Sequence, residues 1–218
     1  MKFITLGQDC SPATALRNLN LREYALPFDW IRSTPEIVSR VIENNFNGFH
    51  QSLKLSENRR YVIDSYGLEF PHDYPTIKQD ELHINDTEEA GGINEDVIRE
   101  GWEDSIKTIQ EKYKRRIDRF HAIMNADEPV IALYSGQISS IALFRDAFFK
   151  RYNKANIFYV VLSEEVVTDK ETRQLLDEGI SLCEPEEILV DENNNWFIDK
   201  IAQSRLWHDA INKIHLKI

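Results

Sequence analysis

The chain has little of what would place it in several large protein classes. Two cysteines in 218 residues, Cys10 and Cys183, make no disulfide framework, and no CxxC or Cys/His spacing suited to zinc occurs. No apolar run approaches the ~20 residues of a membrane span. The opening Met1-Lys2-Phe3-Ile4-Thr5-Leu6-Gly7-Gln8-Asp9 turns acidic too soon for a signal peptide. Eight glycines and seven prolines exclude collagen-like and low-complexity chains. Positive charge is scarce: 26 Lys and Arg stand against 37 Asp and Glu, a formal charge of −11 that repels phosphate backbones and anionic membranes. The sequence therefore points to a cytoplasmic protein with free thiols, no nucleic-acid partner and no membrane span. GxGxxG, GxxxxGK[ST], GxSxG and HExxH are all missing, so neither a cofactor nor a metal is expected.

What is present is apolar and well patterned. Hydrophobic residues make up 42% of the chain and aromatic ones 11%, and a domain of this length buries roughly 70% of its unfolded surface without staples. Residues 3–6 read as a short strand closed by Gly7, with Ser11-Pro12 as an N-cap serine and a first-turn proline. Residues 60–70 look extended and bent near Gly67. Residues 80–104 hold ten acids against the single base Arg99, and the part through Gly91-Gly92 reads as a loop. From Asn94, the apolar positions Val97, Ile98, Trp102, Ile106, Ile109, Tyr113, Ile117, Phe120 and Met124 step by threes and fours, which predicts a long amphipathic helix.

The second half alternates between strand and helix. Apolar runs at 129–134 and 156–162 read as buried strands separated by a Phe-rich helix. A capping box at Thr168-Asp169-Lys170-Glu171 opens another helix, residues 180–183 form a short strand, and a helix from Trp196 to Ile214 closes the chain. Strands with no polar alternation must be covered on both faces. The expected fold is thus one α/β domain over residues 1–218. It has a mostly parallel sheet with helices on both faces (a Rossmann-like or SGNH-like three-layer arrangement) and residues 48–93 as an insertion or lid-like region. Parallel crossovers place Cys10 and Ser135-Gly136 at the same, C-terminal edge of the sheet. A papain-like α+β fold is the alternative.

Cys10 is the best candidate nucleophile. A thiol at a helix N-terminus meets unpaired N–H groups and a positive dipole end, which favour the thiolate and can hold an oxyanion. The adjacent Asp9 opposes that charge, and the plain alternative is a small buried hydrophobe. Cys183, at a strand end, reads as a packing thiol. His72 follows a strand and Pro71 and abuts Asp73, a good place for a base or for a hydrogen-bonded loop residue. Asp29 lies inside the apolar run 25–31 and must be paired if buried, either to hold a turn or to orient a histidine. The basic stretch 113–120 reads as a solvated helix face, with some arginines reaching the acidic loop or Asp29.

Taken in order, Leu6-Gly7 with Cys10, Pro27-Phe28-Asp29-Trp30-Ile31, Phe70-Pro71-His72-Asp73 and Tyr113 through Phe120 resemble one family over residues 2–165. It is a family of unknown function, found mainly in bacteria and described as papain-like cysteine peptidases. The resemblance implies a thiol nucleophile at Cys10, a histidine at His72, and a third member at Asp29 or Asp73. Strand, glycine turn, nucleophile and helix are also similar to SGNH-type hydrolases. Their closing DxxH has no counterpart in Trp207-His208-Asp209, however. The expected function is a thiol-dependent hydrolase or acyl-transfer enzyme acting on a small-molecule, peptide or glycan-linked substrate. The alternative is a non-catalytic binding module for a glycan or nucleotide-sugar-like ligand.

Overall fold

A computed structural model describes residues 1–78, 96–183 and 200–216. The chain opens with β1 (Lys2–Thr5), α1 (Ser11–Asn18) and α2 (Pro35–Glu43). Five short strands follow: β2 (Lys54–Leu55), β3 (Val62–Ile63), β4 (Glu69–Phe70), β5 (Thr76–Lys78) and β6 (Asp96–Ile98). The remainder is α3 (Ile106–Asn125), β7 (Val130–Ser135), α4 (Ile141–Tyr152), β8 (Ile157–Leu162), α5 (Asp169–Asp177), β9 (Ile180–Cys183) and α6 (Lys200–His215).

The apolar strands pair as their pattern demands. β1, β7, β8 and β9 form a four-stranded sheet in that order, with every neighbouring pair parallel. Successive side chains point to opposite faces, and each face has its own core. Ile131, Leu133 and Val160 pack with Ala15 and Leu16 of α1 and Trp207, Ala210, Ile211 and Ile214 of α6. Val130, Ala132, Tyr134, Tyr159 and Val161 pack against α2, α3 and α4 through Val38, Phe120, Phe144 and Phe148. Three layers result, and the sheet is parallel where a papain-like fold would set the nucleophile's helix against an antiparallel barrel.

Several finer expectations change. The strand order follows the chain without reversal, so the described sheet lacks the reversed order of a doubly wound Rossmann sheet. Val97 and Ile98 belong to β6, paired antiparallel with β5, and not to the long helix. Gly101, at φ +73°, breaks the path, a short 3-10 turn from Trp102 follows, and the helix begins at Ile106. Cys10 itself is the N-cap of α1; Ser11 is the first helical residue and its hydroxyl caps nothing. β3 and β4 pair antiparallel on either side of Gly67, in a small sheet with β2 separate from the main one. The capping box at Thr168 and Glu171 is present. The acidic stretch through Gly91-Gly92 and the closing helix's start at Trp196 lie outside the described residues.

Candidate functional site

Adjacent strands β1 and β7 send the chain to opposite faces. After β1 it turns into α1, which packs with Ile131 and Leu133; after β7 it turns into α4, which packs with Ala132 and Tyr134. The two turns thus leave the C-terminal edge of the sheet side by side. Cys10 follows the first of them, exposed and unbridged.

Both turns have positive-φ backbone, and each approaches the other chain segment closely. Gly7, at φ +75°, passes so close to Ser33 that a Cβ would sit 2.5 Å from the Ser33 hydroxyl. Gln8 is left-handed at φ 74°, unusual for a side chain of its size, and its N–H donates to Ser33 Oγ at 3.1 Å. Opposite it, Gly136 has φ +147°, and a Cβ there would collide with the Tyr134 hydroxyl and Gln8 Oε1. Gln8 therefore spans from the β1 turn to the β7 turn. Burial, with the charges of Glu36 and Asp9 contributing, pushes the Tyr134 hydroxyl's pKa up. The charges felt here are negative.

The start of α1 offers fewer donors than its position suggests. The Asp9 carboxylate accepts from the Ser11 N–H at 2.6 Å, and Pro12 has no N–H. Ala13 is left as the first-turn donor not engaged by the described residues. The Cys10 carbonyl accepts from Thr14 at 2.9 Å, closing the first helical bond.

The other candidates sit in a second neighbourhood. Asp29 is 1% exposed and accepts from Thr5 Oγ1 at 2.8 Å, the Leu26 N–H at 2.9 Å and Arg22 at 3.5 Å. Burial raises its pKa; the Leu26 and Thr5 bonds, Arg22 and Arg116 pull the other way. The carboxylate thus ties the segment after Pro27 to strand β1, while Phe28 stacks on Phe46 at 5.5 Å and meets Phe120 edge-on. Trp30, next in line, meets the exposed His72 ring edge-to-face at 6.3 Å and 85°. Asp73 is held by Lys112 and by the Tyr113 hydroxyl at 2.5 Å. Among the described residues no hydrogen bond joins His72 to Cys10, Asp29 or Asp73.

Sequence reasoning missed Gln8, Ser33 and Tyr134 at these turns, and Arg17 and Arg22 around Trp30. It also missed His50, 1% exposed, whose Nε2 pairs with the Tyr74 hydroxyl at 2.9 Å. Desolvation lowers the His50 pKa to about 4. Only Gln8, one residue beyond the glycine turn, carried a signal that pattern alone could have used. Cys183 is buried in β9, and burial pushes its thiol well up. Among the described residues no group of three or more His, Cys, Asp and Glu side chains is placed to hold a metal, and no helix is long and apolar enough to cross a membrane.

The chain belongs to the family described as "putative papain-like cysteine peptidase", whose model matches residues 1–177. It is also similar to an uncharacterized protein, R408, of Acanthamoeba polyphaga mimivirus, 25% identical over 154 residues. That match covers 59% of this chain and 59% of the viral protein, so the chain spans about three-fifths of its relative's length. A viral relative lends no support to the expected bacterial origin. No solved structure matches the chain.

Proposed function

We infer that the protein is a thiol-dependent hydrolase or acyl-transfer enzyme whose nucleophile is Cys10. The observation that carries this reading is the exposed Cys10 thiol capping α1 just beyond the C-terminal end of β1. In this scheme the Cys10 sulfur attacks a carbonyl carbon, and His72 takes the thiol proton and returns it to the leaving group. The Ala13 N–H faces the developing oxyanion. Asp29 and Asp73 act as positioning residues. Asp29 pins the segment whose Trp30 supports the imidazole, and Asp73, fixed by Lys112 and Tyr113, anchors the backbone beside His72. Peptide, ester, thioester and amide substrates all fit this chemistry. The chain acts as a single domain, with residues 48–93 as an insertion.

Iodoacetamide at pH 6 tests the assignment, because alkylation follows ionisation. Cys10 is expected to label far faster than Cys183, and His72→Gln to slow the Cys10 reaction. Equal, slow labelling of the two thiols overturns the nucleophile. A panel of ester, thioester and peptide electrophiles then narrows the substrate.

One observation favours the second reading, a binding module for a glycan or nucleotide-sugar-like ligand. Asp9 already occupies the helix N–H that a thiolate would use. Under that reading Cys10→Ala keeps full ligand binding and the protein turns nothing over.

A further inference from the structure

In a chain of net charge −11, the flank of β1 gathers cations. The Arg17 guanidinium carbon lies 5.5 Å, and that of Arg22 5.3 Å, from the centre of the same Trp30 ring. The ring's edge meets His72. Arg116, over Tyr113, lies close enough to Asp29 to act on its charge and leaves a buried Nη1 without a hydrogen-bond partner. The two carboxylates here are sunk beneath the surface: the Asp29 side chain is 1% exposed and that of Asp73 4%. Asp73 is satisfied by Lys112 and Tyr113, and Asp29, which also accepts from Thr5 and Leu26, pairs with Arg22 at 3.5 Å.

The outer surface thus presents donors without acceptors. Arg17 is exposed and makes no hydrogen bond or ion pair among the described residues, and His72 contributes a free imidazole. Two guanidinium groups held around one indole repel each other, and the Asp29 contact offsets only one of them. Cation–π attraction fixes both in place, so the site is ordered before any ligand arrives, which lowers the cost of binding. Arg17 also sits in the last turn of α1, where a cation suits the helix dipole. That accounts for one charge on this helix. Arg22, which lies beyond it, pairs with Asp29 and comes to the same ring.

We propose that Arg17, Arg22 and His72 around Trp30 form a binding site for a tetrahedral oxyanion, a phosphate group in the first instance. Guanidinium forks match two phosphate oxygens, and the imidazole supplies a further N–H. The group arrives either as free phosphate or as a phosphate ester on a larger molecule. The site rests on the Arg17, Arg22, Trp30 and His72 geometry; it shares His72 with the proposed reaction but needs no chemistry at Cys10.

Calorimetric titration of the full chain with inorganic phosphate, and separately with glucose 6-phosphate, tests it, with Trp fluorescence followed in parallel. Saturable binding is expected, weakened roughly tenfold by Arg17→Gln, the loss of about one charge-assisted hydrogen bond. Arg17 is exposed, so this variant leaves the fold intact, and an unchanged thermal melt without ligand verifies it. Trp30→Phe should bind while losing the fluorescence change, which places the anion at this ring. Tighter binding of the ester assigns the site to a phosphorylated ligand, and tighter binding of inorganic phosphate to the free ion. No saturable binding of either probe overturns the proposal. So does equal affinity in wild type, Arg17→Gln and Arg22→Gln, since the anion would then bind elsewhere.

Discussion

Leu133, in the middle of β7, and Asp64, in the turn after β3, are buried almost equally, at 0% and 3% exposure, yet they hold their surroundings in opposite ways. Leu133 does so by filling space between the sheet and its covering helices. Asp64 does so by accepting hydrogen bonds: the His50 and Tyr66 N–H groups donate to its carboxylate at 2.9 Å and the Leu68 N–H at 3.0 Å. The parallel sheet needs no such hub, because its strands satisfy one another's backbones. The 45–70 segment has strands of two residues and left-handed backbone at Asn45, Phe46, His50, Ser52 and Arg59, so its amides turn to side chains instead. One molecule thus contains a region tolerant of volume-conserving change and a region intolerant of losing a single carboxylate.

The sharpest way to break this contrast is Asp64→Ala, which strands three N–H groups in a buried turn. A loss of roughly 4 kcal/mol is expected, read as a drop in the denaturant midpoint; a near-neutral result would mean the segment is held by packing after all. Leu133→Ala comes next, at about 3 kcal/mol for the lost burial and the cavity left behind. Leu133→Met should recover most of it, whereas no isosteric swap rescues Asp64 equally well.

A smaller, pH-dependent contribution comes from His50 in the turn-rich segment. His50 has its pKa lowered from 6.5 to about 4 by burial, so the unfolded chain takes up the proton first. Stability from the neutral ring is complete above about pH 6.5 and drains away as the pH falls toward 4, by roughly 2–3 kcal/mol in all. Melting temperatures across that range in wild type and His50→Phe check it: the acid-side slope contributed by this group should flatten in the variant.

The same division explains what the sequence made legible. Residues 130–135 and 157–162 announce a covered parallel sheet because burial on both faces leaves no polar position in either run. β3 and β4 were visible as an extended, bent stretch, since Gly67 marks the bend. Val97 and Ile98 fit a helical period by chance. Their partner strand, β5, lies far back in the chain, and periodicity carries no information about partners. In the site, Cys10 was legible from its place after a glycine turn, and the segment around Asp29 from a lone carboxylate among apolar residues. The hydrogen-bond partners of Asp29, Thr5 and Leu26, could not be read, because they follow from how the segment folds back onto β1. Nor could the convergence of Arg17 and Arg22 on Trp30, which depends on side chains from three separate stretches.

The pairing of β1 with β7 has a consequence in time. Lys2 sits beside Val130, whereas Val130 sits beside Ile157. The inner ladder closes a short loop and the outer one a very long loop, and loop closure is slower and costlier as the separation grows. Of the strands in this sheet, β1 is therefore the last to find its place, and the turn that presents Cys10 is assembled only once the rest of the sheet waits to receive it. Pulsed hydrogen exchange during refolding reads that order directly, with the amides shared by β7 and β8 protected before those of β1.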